Sequence, residues 1–332
     1  MTGTPSVVQL GMRRERRRPA HARGRPAGAR VRHAPTRRVG RVVALAVVVL
    51  ALALLGTGIW TSNALAPSDG AMQAPAGYTA QQLIFDDQFS GTTVDTTKWN
   101  TFLGAQGQRW TGSGLPKPYS GGDPKNNLEY YDPKQVSVNN GLTLTARRAG
   151  AGDVGFGPYS WVSGVVTTEG KFSLPTGGWY VQLKAKMPDQ SQGMWPAIWF
   201  MPGVSGTPTN EFDGYEGGEL GKAPNQLGHS DYFSPQGQQQ RAWSTGIDVT
   251  AGYHIYGFEF IPGRSITAYF DGRQVWQVSA SRAITITAEP YEIILELQVA
   301  SQHAARWHTV TTGATPSASM DVAEIRAYSY PP

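Results

Sequence analysis

Short segments in which apolar and polar residues alternate follow one another from Tyr78 to the C-terminus, with Gly, Pro, Asn and Asp between them. A period of two predicts β-strands, and no long segment competes with the period of about 3.6 residues that marks a helix. We predict strands at residues 83–85, 135–138, 142–146, 164–168, 179–186, 195–200, 253–261, 265–270, 274–278, 291–299 and 322–328. About 255 residues of strands and turns predict an all-β fold of two packed antiparallel sheets, a jelly-roll β-sandwich.

Two turns mark hairpins within this series. Asn139-Asn140-Gly141 and Asp271-Gly272 each separate two predicted strands. Asn-Gly and Asp-Gly pairs accept the positive φ angles that tight hairpin turns require. We therefore expect the strands on either side of each turn to be antiparallel neighbours.

The N-terminal part of the chain carries a long apolar run. Residues 42–55 are continuously apolar, and the run reaches residue 60 and follows Arg37, Arg38 and Arg41. Such a run after a basic segment predicts a signal anchor, whereas its shorter core is typical of a cleaved signal peptide. A buried core helix is the alternative. Both export signals predict an extracytoplasmic domain, either membrane-anchored or secreted.

Charge divides the chain in the same place. Residues 1–41 contain twelve arginines and one glutamate, a net +11, and the whole chain carries +5, so the remainder carries −6. We expect a disordered basic cytoplasmic segment at 1–41, a hydrophobic helix at 42–60, a linker at 61–77 and one folded domain at 78–332. Since nucleic acid binding requires a basic face, no nucleic acid partner is expected for that domain.

Three acidic residues stand within the segment Glu-Phe-Asp-Gly-Tyr-Glu at 211–216. Side chains alternate along a strand, so Glu211 and Asp213 share one face and Glu216 falls on the other. One inserted residue, a β-bulge, would return Glu216 to the face of the other two, and Gly214 suits such a kink. Acids on one strand face repel one another, so a purely structural strand rarely carries them. The alternative is a polar loop, because two glycines and a further acid follow.

This arrangement is suited to glycosidic bond cleavage, which requires two carboxyl groups in different protonation states. When the two are about 5–5.5 Å apart, one attacks the anomeric carbon while the other protonates the leaving oxygen. Glu211 and Glu216 are the candidates, and Asp213 would share a proton or a hydrogen bond with the nucleophile. Like charges at such a spacing keep one acid protonated near neutral pH.

The segment resembles the signature Glu-x-Asp-x-x-Glu of glycoside hydrolase family 16, the group that includes laminarinases and lichenases. Further segments are similar to the family in the same order along the chain: residues 85–89 with Trp99-Asn100, 167–172, 193–200, 253–260 and 321–328. The resemblance implies a concanavalin-like jelly roll with a substrate cleft across the concave sheet. It also implies that Glu211 is the nucleophile, Asp213 its helper and Glu216 the acid/base.

The function implied by this resemblance is retaining, endo-acting hydrolysis of a β-glycan by double displacement, with a β-1,3- or mixed-linkage glucan as the first expectation. Transglycosylation of a cell-surface glycan through the same covalent intermediate is an alternative. A non-catalytic carbohydrate-binding jelly roll is another, although the presence of all three acids disfavours it, and a wall-structural protein is a third. The expected partner is a polysaccharide, bound by a monomer.

Aromatic residues are expected in a glycan cleft, because sugar rings stack their CH faces on them. Trp195 and Trp199 share one face of a predicted strand, although burial between the sheets is the alternative for both. The resemblance implies that Trp195 lines the subsite beside the cleaved bond, that Asn126 hydrogen-bonds a sugar and that Tyr131 shapes the cleft wall; a strand-capping turn is the alternative for the last two. It also places two residues at the cleft edge, His229 and Trp307.

No cofactor is expected. The chain has no cysteine, which excludes disulfides and thiolate metal sites, and no His or Asp cluster has the spacing of a catalytic metal site. The resemblance implies that many family members hold a structural calcium with a Glu where Gln88 stands here, so Gln88 disfavours this calcium despite Asp321. Glu296 stands where the family usually has Asn, and Asn210 where it usually has Gly, which leaves the glucan specificity open.

Overall fold

Two β-sheets packed face to face form the part of the chain that the computed structural model describes. This part comprises residues 72–104, 118–153, 157–202, 210–279, 281 and 286–331, all within the unit Ser62–Pro332. The segments predicted at 1–41 and 42–60, and most of the linker predicted at 61–77, lie outside the described residues. Within these ranges no helix has the length and apolar character needed to cross a membrane.

The strands follow one another along the chain with short connections between most of them. They are β1 (Leu83–Asp87), β2 (Ser120–Gly121), β3 (Glu129–Tyr131), β4 (Val136–Val138), β5 (Leu142–Arg148), β6 (Trp161–Ser163), β7 (Val165–Thr167), β8 (Trp179–Lys186), β9 (Met194–Pro202), β10 (Glu211–Glu216), β11 (Leu227–Ser234), β12 (Gly237–Ser244), β13 (His254–Ile261), β14 (Ser265–Phe270), β15 (Arg273–Gln277), β16 (Tyr291–Val299) and β17 (Ala318–Ser329). Short 3₁₀ helices lie at Ala80–Gln82, Pro133–Gln135, Ala151–Asp153, Pro224–Gln226 and Gln302–Ala304.

Eleven strands form one sheet in the order β15-β14-β13-β8-β17-β5-β6-β3-β2, with β1 beside β17 and β4 beside β5. Six strands form the other sheet in the order β12-β11-β10-β9-β16-β7. The prediction of an all-β sandwich of two sheets is confirmed. The expectation of purely antiparallel pairing is wrong for one pair among the described strands, because β3 and β6 run parallel.

Both predicted hairpins are present. β4 pairs with β5, and β14 pairs with β15, each in antiparallel register across its turn. Asn140 and Asp271 have φ angles of 51° and 47°, in the left-handed region that Asn and Asp enter more readily than other side chains. Local turn chemistry therefore accounts for these two connections.

The core lies between the sheets and is rich in aromatic side chains. Trp179 of β8 stacks on Phe260 of β13 with ring centroids 5.3 Å apart, and its ring lies 4.7 Å from that of Phe200 on β9. Burying one such side chain contributes about 1.5–3 kcal/mol relative to leaving it exposed. Along β9, Ala197 and Trp199 alternate with the core residues and lie on the opposite face. One face of the six-stranded sheet therefore packs in the core, and the face that carries Ala197 and Trp199 can form a site.

Five strands were missed by the sequence prediction: β2, β3, β6, β11 and β12. β12 has the sequence Gly-Gln-Gln-Gln-Arg-Ala-Trp-Ser and is mostly exposed, so no apolar alternation marks it. β3 and β6 are three residues long and buried throughout, and a strand buried on both faces shows no alternation either. Gln135, which was predicted to begin a strand, instead ends a 3₁₀ turn.

Candidate active site

A cleft of about 850 Å³ lies on the face of the six-stranded sheet that is opposite the core. β9, β10 and β16 form its floor, β11 and β12 one side, and the residues before β3 contribute to the other. All nine site residues predicted from the sequence line it: Glu211, Asp213, Glu216, Trp195, Trp199, Asn126, Tyr131, His229 and Trp307. Their roles toward a substrate stay predictions.

A β-bulge in β10 brings the three acids onto this face. Asp213 pairs with Trp199 of β9, but the register then skips a residue, so that Tyr215 pairs with Ile198 and Glu216 with Ala197. The pairing with β11 shifts over the same interval. Two successive residues, Gly214 and Tyr215, therefore face the core, and Glu216 returns to the cleft beside the other acids. This is the irregularity that the spacing of the acids predicted.

Only glycine fits at position 214. A Cβ atom there would lie 2.5 Å from Cδ1 of Phe258, whose ring belongs to the opposite sheet. The Gly214 carbonyl oxygen accepts a hydrogen bond of 2.6 Å from Oγ of Ser230 on β11. Core packing on one side and a strand-to-strand bond on the other thus fix the bulge.

Glu216 is held by two neighbours. The indole Nε1 of Trp195 donates a hydrogen bond of 2.9 Å to its Oε1, and Nδ1 of His229 lies 3.7 Å from its Oε2. Burial raises the pKa of Glu216 to about 8, the charge of Asp231 is the next cause, and the Trp195 hydrogen bond opposes both. Burial lowers the pKa of His229, so its imidazole is mostly neutral at pH 7. Glu216 is therefore protonated at neutral pH and can supply a proton.

The pKa of Asp213 is raised as well. Burial is the main cause of its strongly raised pKa, and the neighbouring charges of Glu211 and Glu216 follow. A protonated Asp213 can donate a hydrogen bond, which a carboxylate cannot. Burial and neighbouring charges thus favour the protonated forms of both Asp213 and Glu216.

Asp231 is an acid of the cleft that sequence reasoning missed. It lies directly opposite Asp213 in the β10–β11 pair. Burial raises its pKa to about 6, although hydrogen bonds from the Gln238 side chain and the Tyr232 backbone oppose the shift. Since β11 shows no clear alternation, only its position two residues after His229 could have indicated that Asp231 shares the face of that histidine.

A second group of acids lies at the β16 side of the cleft. The hydroxyl of Tyr131 lies 2.8 Å from Oε2 of Glu296 and 3.2 Å from Oε1 of Glu129. A phenol has one proton to donate, so one of these carboxyl groups must itself be protonated for both contacts to be hydrogen bonds. Burial raises the pKa of Glu296 to about 7, and it also raises that of Glu129 well above its ordinary value. Gln298 donates a hydrogen bond of 2.5 Å to Oε1 of Glu296. Tyr131 is therefore a buried bridge in the cleft wall.

The tryptophans differ in exposure. Trp195 is partly exposed and packs on the ring of His308, with centroids 4.5 Å apart. Trp199 is mostly buried in a small cluster on the cleft side of the sheet, not in the core between the sheets. Trp307 is 39% exposed at the rim. Trp195 and Trp307 therefore offer ring surface to a ligand, and Trp199 mainly supports the floor.

The remaining two predicted residues also line the cleft. Nδ2 of Asn126 donates a hydrogen bond of 2.9 Å to Oδ2 of Asp123. The amide oxygen of Asn126 is buried and has no hydrogen-bond partner among the described residues. Nδ1 of His229 lies between two acids, 3.6 Å from Glu219 as well as close to Glu216. The Asn126 oxygen is thus an unsatisfied buried acceptor, whereas His229 links two acids of the cleft.

Within the described ranges, no three His, Asp or Glu side chains are grouped as metal ligands. Asp321, the acid considered for a structural calcium, accepts a hydrogen bond of 2.8 Å from Oγ1 of Thr143. The Gln88 side chain at the other candidate position is exposed. No step of the chemistry proposed below is assigned to a metal.

Comparison with known proteins gives consistent matches. The model of the family described as glycosyl hydrolases family 16 matches residues 123–318. Endo-1,3-1,4-beta-glycanase EglC of Rhizobium meliloti is 30% identical over 196 residues, 58% of this chain and 39% of that protein. Glucan endo-1,3-beta-glucosidase A1 of Niallia circulans is 28% identical over 284 residues, 74% of this chain and 37% of that protein. The chain thus spans less than two-fifths of the length of these curated relatives.

Solved structures match over most of their length. The endo-beta-1,3-glucanase of Pyrococcus furiosus is 25% identical with a TM-score of 0.59, covering 74% of this chain and 94% of that one. The catalytic domain of an endo-1,3-beta-glucanase from Thermotoga petrophila is 23% identical with a TM-score of 0.58, covering 74% and 97%, and shows the shared fold. The family model matches more than half of the residues of this chain, and the chain therefore belongs to glycosyl hydrolases family 16.

Proposed function

We propose that this protein is a retaining, endo-acting glycoside hydrolase that cleaves a β-1,3- or mixed-linkage β-glucan. The observation that carries the proposal is the bulge of β10, which gathers Glu211, Asp213 and Glu216 on the floor of an open cleft. Relatives named as an endo-1,3-1,4-beta-glycanase and a glucan endo-1,3-beta-glucosidase support the choice of linkage.

In the proposed first step, Glu216 donates its proton to the glycosidic oxygen while the carboxylate of Glu211 attacks the anomeric carbon. The bond to the leaving sugar breaks, and a covalent glycosyl–Glu211 ester forms. The raised pKa of Glu216, about 8, supports its role as the acid because the proton is still present at neutral pH. Protonated Asp213 would donate a hydrogen bond to the Glu211 carboxyl and hold it in place.

In the second step, Glu216 is a carboxylate and acts as the base. It removes a proton from a water molecule, whose oxygen attacks the anomeric carbon and releases Glu211. Two inversions give net retention. A sugar hydroxyl in place of water would give transglycosylation through the same steps.

The aromatic surface supports binding of a chain rather than a single sugar. Trp195 stands beside the proposed acid, whereas Trp307 lies at the rim. Stacking at separated points would hold a polymer across the scissile bond, as endo-cleavage requires. We further propose an extracytoplasmic site of action, because residues 42–60 have the sequence of an export signal.

Azide rescue tests the assignment of Glu216. Glu216→Ala removes the acid and base, so hydrolysis of a glucan should fall by about 10²–10⁴-fold. An aryl β-glucoside oligomer with a good leaving group needs little acid assistance, so it should still form the ester. Added azide should then restore turnover and release a β-glycosyl azide. An α-glycosyl azide, or no rescue, would contradict the retaining mechanism with this acid/base.

A further inference from the structure

Asp231 has no part in the proposed steps, yet it is buried in the cleft beside the residues that carry them out. It is 2% exposed and lines the cleft. Its Oδ2 accepts a hydrogen bond from Gln238, whereas its buried Oδ1 has no partner of hydrogen-bonding geometry among the described residues. No ion pair in this part of the chain includes it. A buried acid without a counter-ion is costly to keep, so its presence needs a reason.

The register places Asp231 close to the proposed machinery. It faces Asp213 directly across the β10–β11 pair, and such side chains have Cβ atoms about 4.5–5.5 Å apart on the same face. Glu216 returns to this face through the bulge and pairs with His229, two residues from Asp231 on β11. Because the imidazole of His229 is mostly neutral at pH 7, it does not neutralise the charge of Asp231 or of Glu216.

Charged and titratable groups face Glu216 from every neighbouring element. They are Glu211 and Asp213 of β10, His229 and Asp231 of β11, Glu219 of the following loop, Arg241 of β12, Glu296 of β16 and His308 after it. Seven acids, Asp123 among them, line the described cleft, and one arginine does. After burial, the charge of Asp231 is the largest cause of the raised pKa of Glu216.

We propose that Asp231 is a positioning residue for the proton of Glu216: its carboxylate, opposite Asp213 and without a counter-ion, keeps the general acid protonated until that proton passes to the glycosidic oxygen. The inference rests on the proposed function of Glu216. A like charge within the same patch disfavours ionisation of Glu216, so the enzyme stays active to higher pH than burial alone would allow.

The pH profile of Asp231→Asn tests this inference. Asparagine is close in shape to aspartate, and its amide oxygen still accepts the hydrogen bond from Gln238. Loss of the charge should lower the pKa of Glu216 by about one pH unit. The alkaline limb of kcat/KM, expected near pH 8 in the unchanged protein, should move down by that amount. Asp231→Glu retains the charge and should retain the limb.

A second variant keeps the test independent of folding at position 231. Gln238 is exposed, and Gln238→Ala removes the hydrogen bond that favours charged Asp231. The pKa of Asp231 should then rise, so that it is charged over a narrower pH range. The alkaline limb of kcat/KM should therefore move to lower pH, but by less than in Asp231→Asn. Alkaline limbs that coincide in the unchanged protein, Asp231→Asn and Gln238→Ala would overturn the inference.

Failure of the proposed function can be distinguished from failure of the role of Asp231. If the unchanged protein cleaved no glucan, that function would fail, and ¹³C NMR titration of the Glu216 carboxyl carbon would still measure its pKa with and without Asp231→Asn. Equal values in the two proteins would overturn the role of Asp231, whereas a lower value in the variant would support it.

Discussion

At Glu211, the exchange of one carboxyl oxygen for an amide nitrogen tests the proposed nucleophile. Glu211→Gln preserves the shape of the side chain but cannot form the glycosyl ester. Turnover should fall by roughly three orders of magnitude or more, because the group acts only in the chemical step. Binding of a glucan oligomer, measured by calorimetry, should remain within a few-fold of the unchanged value.

A matched exchange provides the control for Glu211→Gln. Glu259 of β13 lies on the outer face of the eleven-stranded sheet, where its Oε1 accepts a hydrogen bond from the hydroxyl of Tyr78. Glu259→Gln is the same chemical change away from the cleft and should leave kcat/KM as it was. Equal rates in the two variants would remove Glu211 from the mechanism.

Single residues of the site could be predicted where spacing along one strand was sufficient. Glu211, Asp213 and Glu216 belong to one segment, so the chain itself shows their proximity. Asp231 and Glu296 could not be found this way, because their nearness to β10 depends on which strands pair and in which register. That register is set by the whole sheet and not by neighbours in sequence.

At the scale of the strand, the bulge of β10 depends on the absence of a side chain at position 214. Gly214→Ala would place a methyl group 2.5 Å from the ring of Phe258, and overpacking of this kind costs about 1–3 kcal/mol. The midpoint of thermal unfolding should fall by several degrees, and activity should fall with it as the bulge shifts.

Gly313→Ala is the matched control for this substitution. A Cβ atom at Gly313 meets no heavy atom within 4 Å, so its unfolding midpoint should be close to that of the unchanged protein. If Gly214→Ala were as stable and active as Gly313→Ala, the packing of Phe258 would not be what fixes the bulge.

Elements with strong local signals could be predicted from the sequence, and the others could not. The turns at Asn140 and Asp271 adopt the positive φ that their sequences favour, and β8, β14 and β16 have the bounds expected from the pattern. The pairing of β3 with β6 joins residues about thirty positions apart in parallel. No local pattern encodes such a pairing, because the two segments become neighbours only when the sheet forms.

At the scale of the whole molecule, buried acids make stability depend on pH. The folded pKa values of Glu129, Asp213, Glu216, Asp231 and Glu296 are all raised. Between the ordinary carboxyl pKa of about 4 and the raised values, the folded state binds more protons than the unfolded state. The free energy of unfolding therefore decreases as pH rises through this window. We expect the unfolding midpoint to be lower at pH 8 than at pH 5.

Glu129→Gln identifies one source of this dependence. The glutamine oxygen can accept the hydrogen bond that the Val299 N–H now donates, 2.7 Å long, and its amide can donate to the hydroxyl of Tyr131. Since the variant has no charge to bury, its midpoint should exceed that of the unchanged protein at pH 8 and match it near pH 4. A midpoint below that of the unchanged protein at both pH values would contradict the raised pKa of the Glu129 carboxyl group.

The contact between Gly214 and Phe258 joins the reacting strand to the opposite sheet. The separation of the carboxyl groups decides whether a glycosidase retains or inverts configuration, and here the bulge that positions two of them packs against a buried phenyl ring of the core. Redesign of the stereochemical outcome would therefore begin at residue 258, from behind the site, where the substrate-facing groups can be left unaltered.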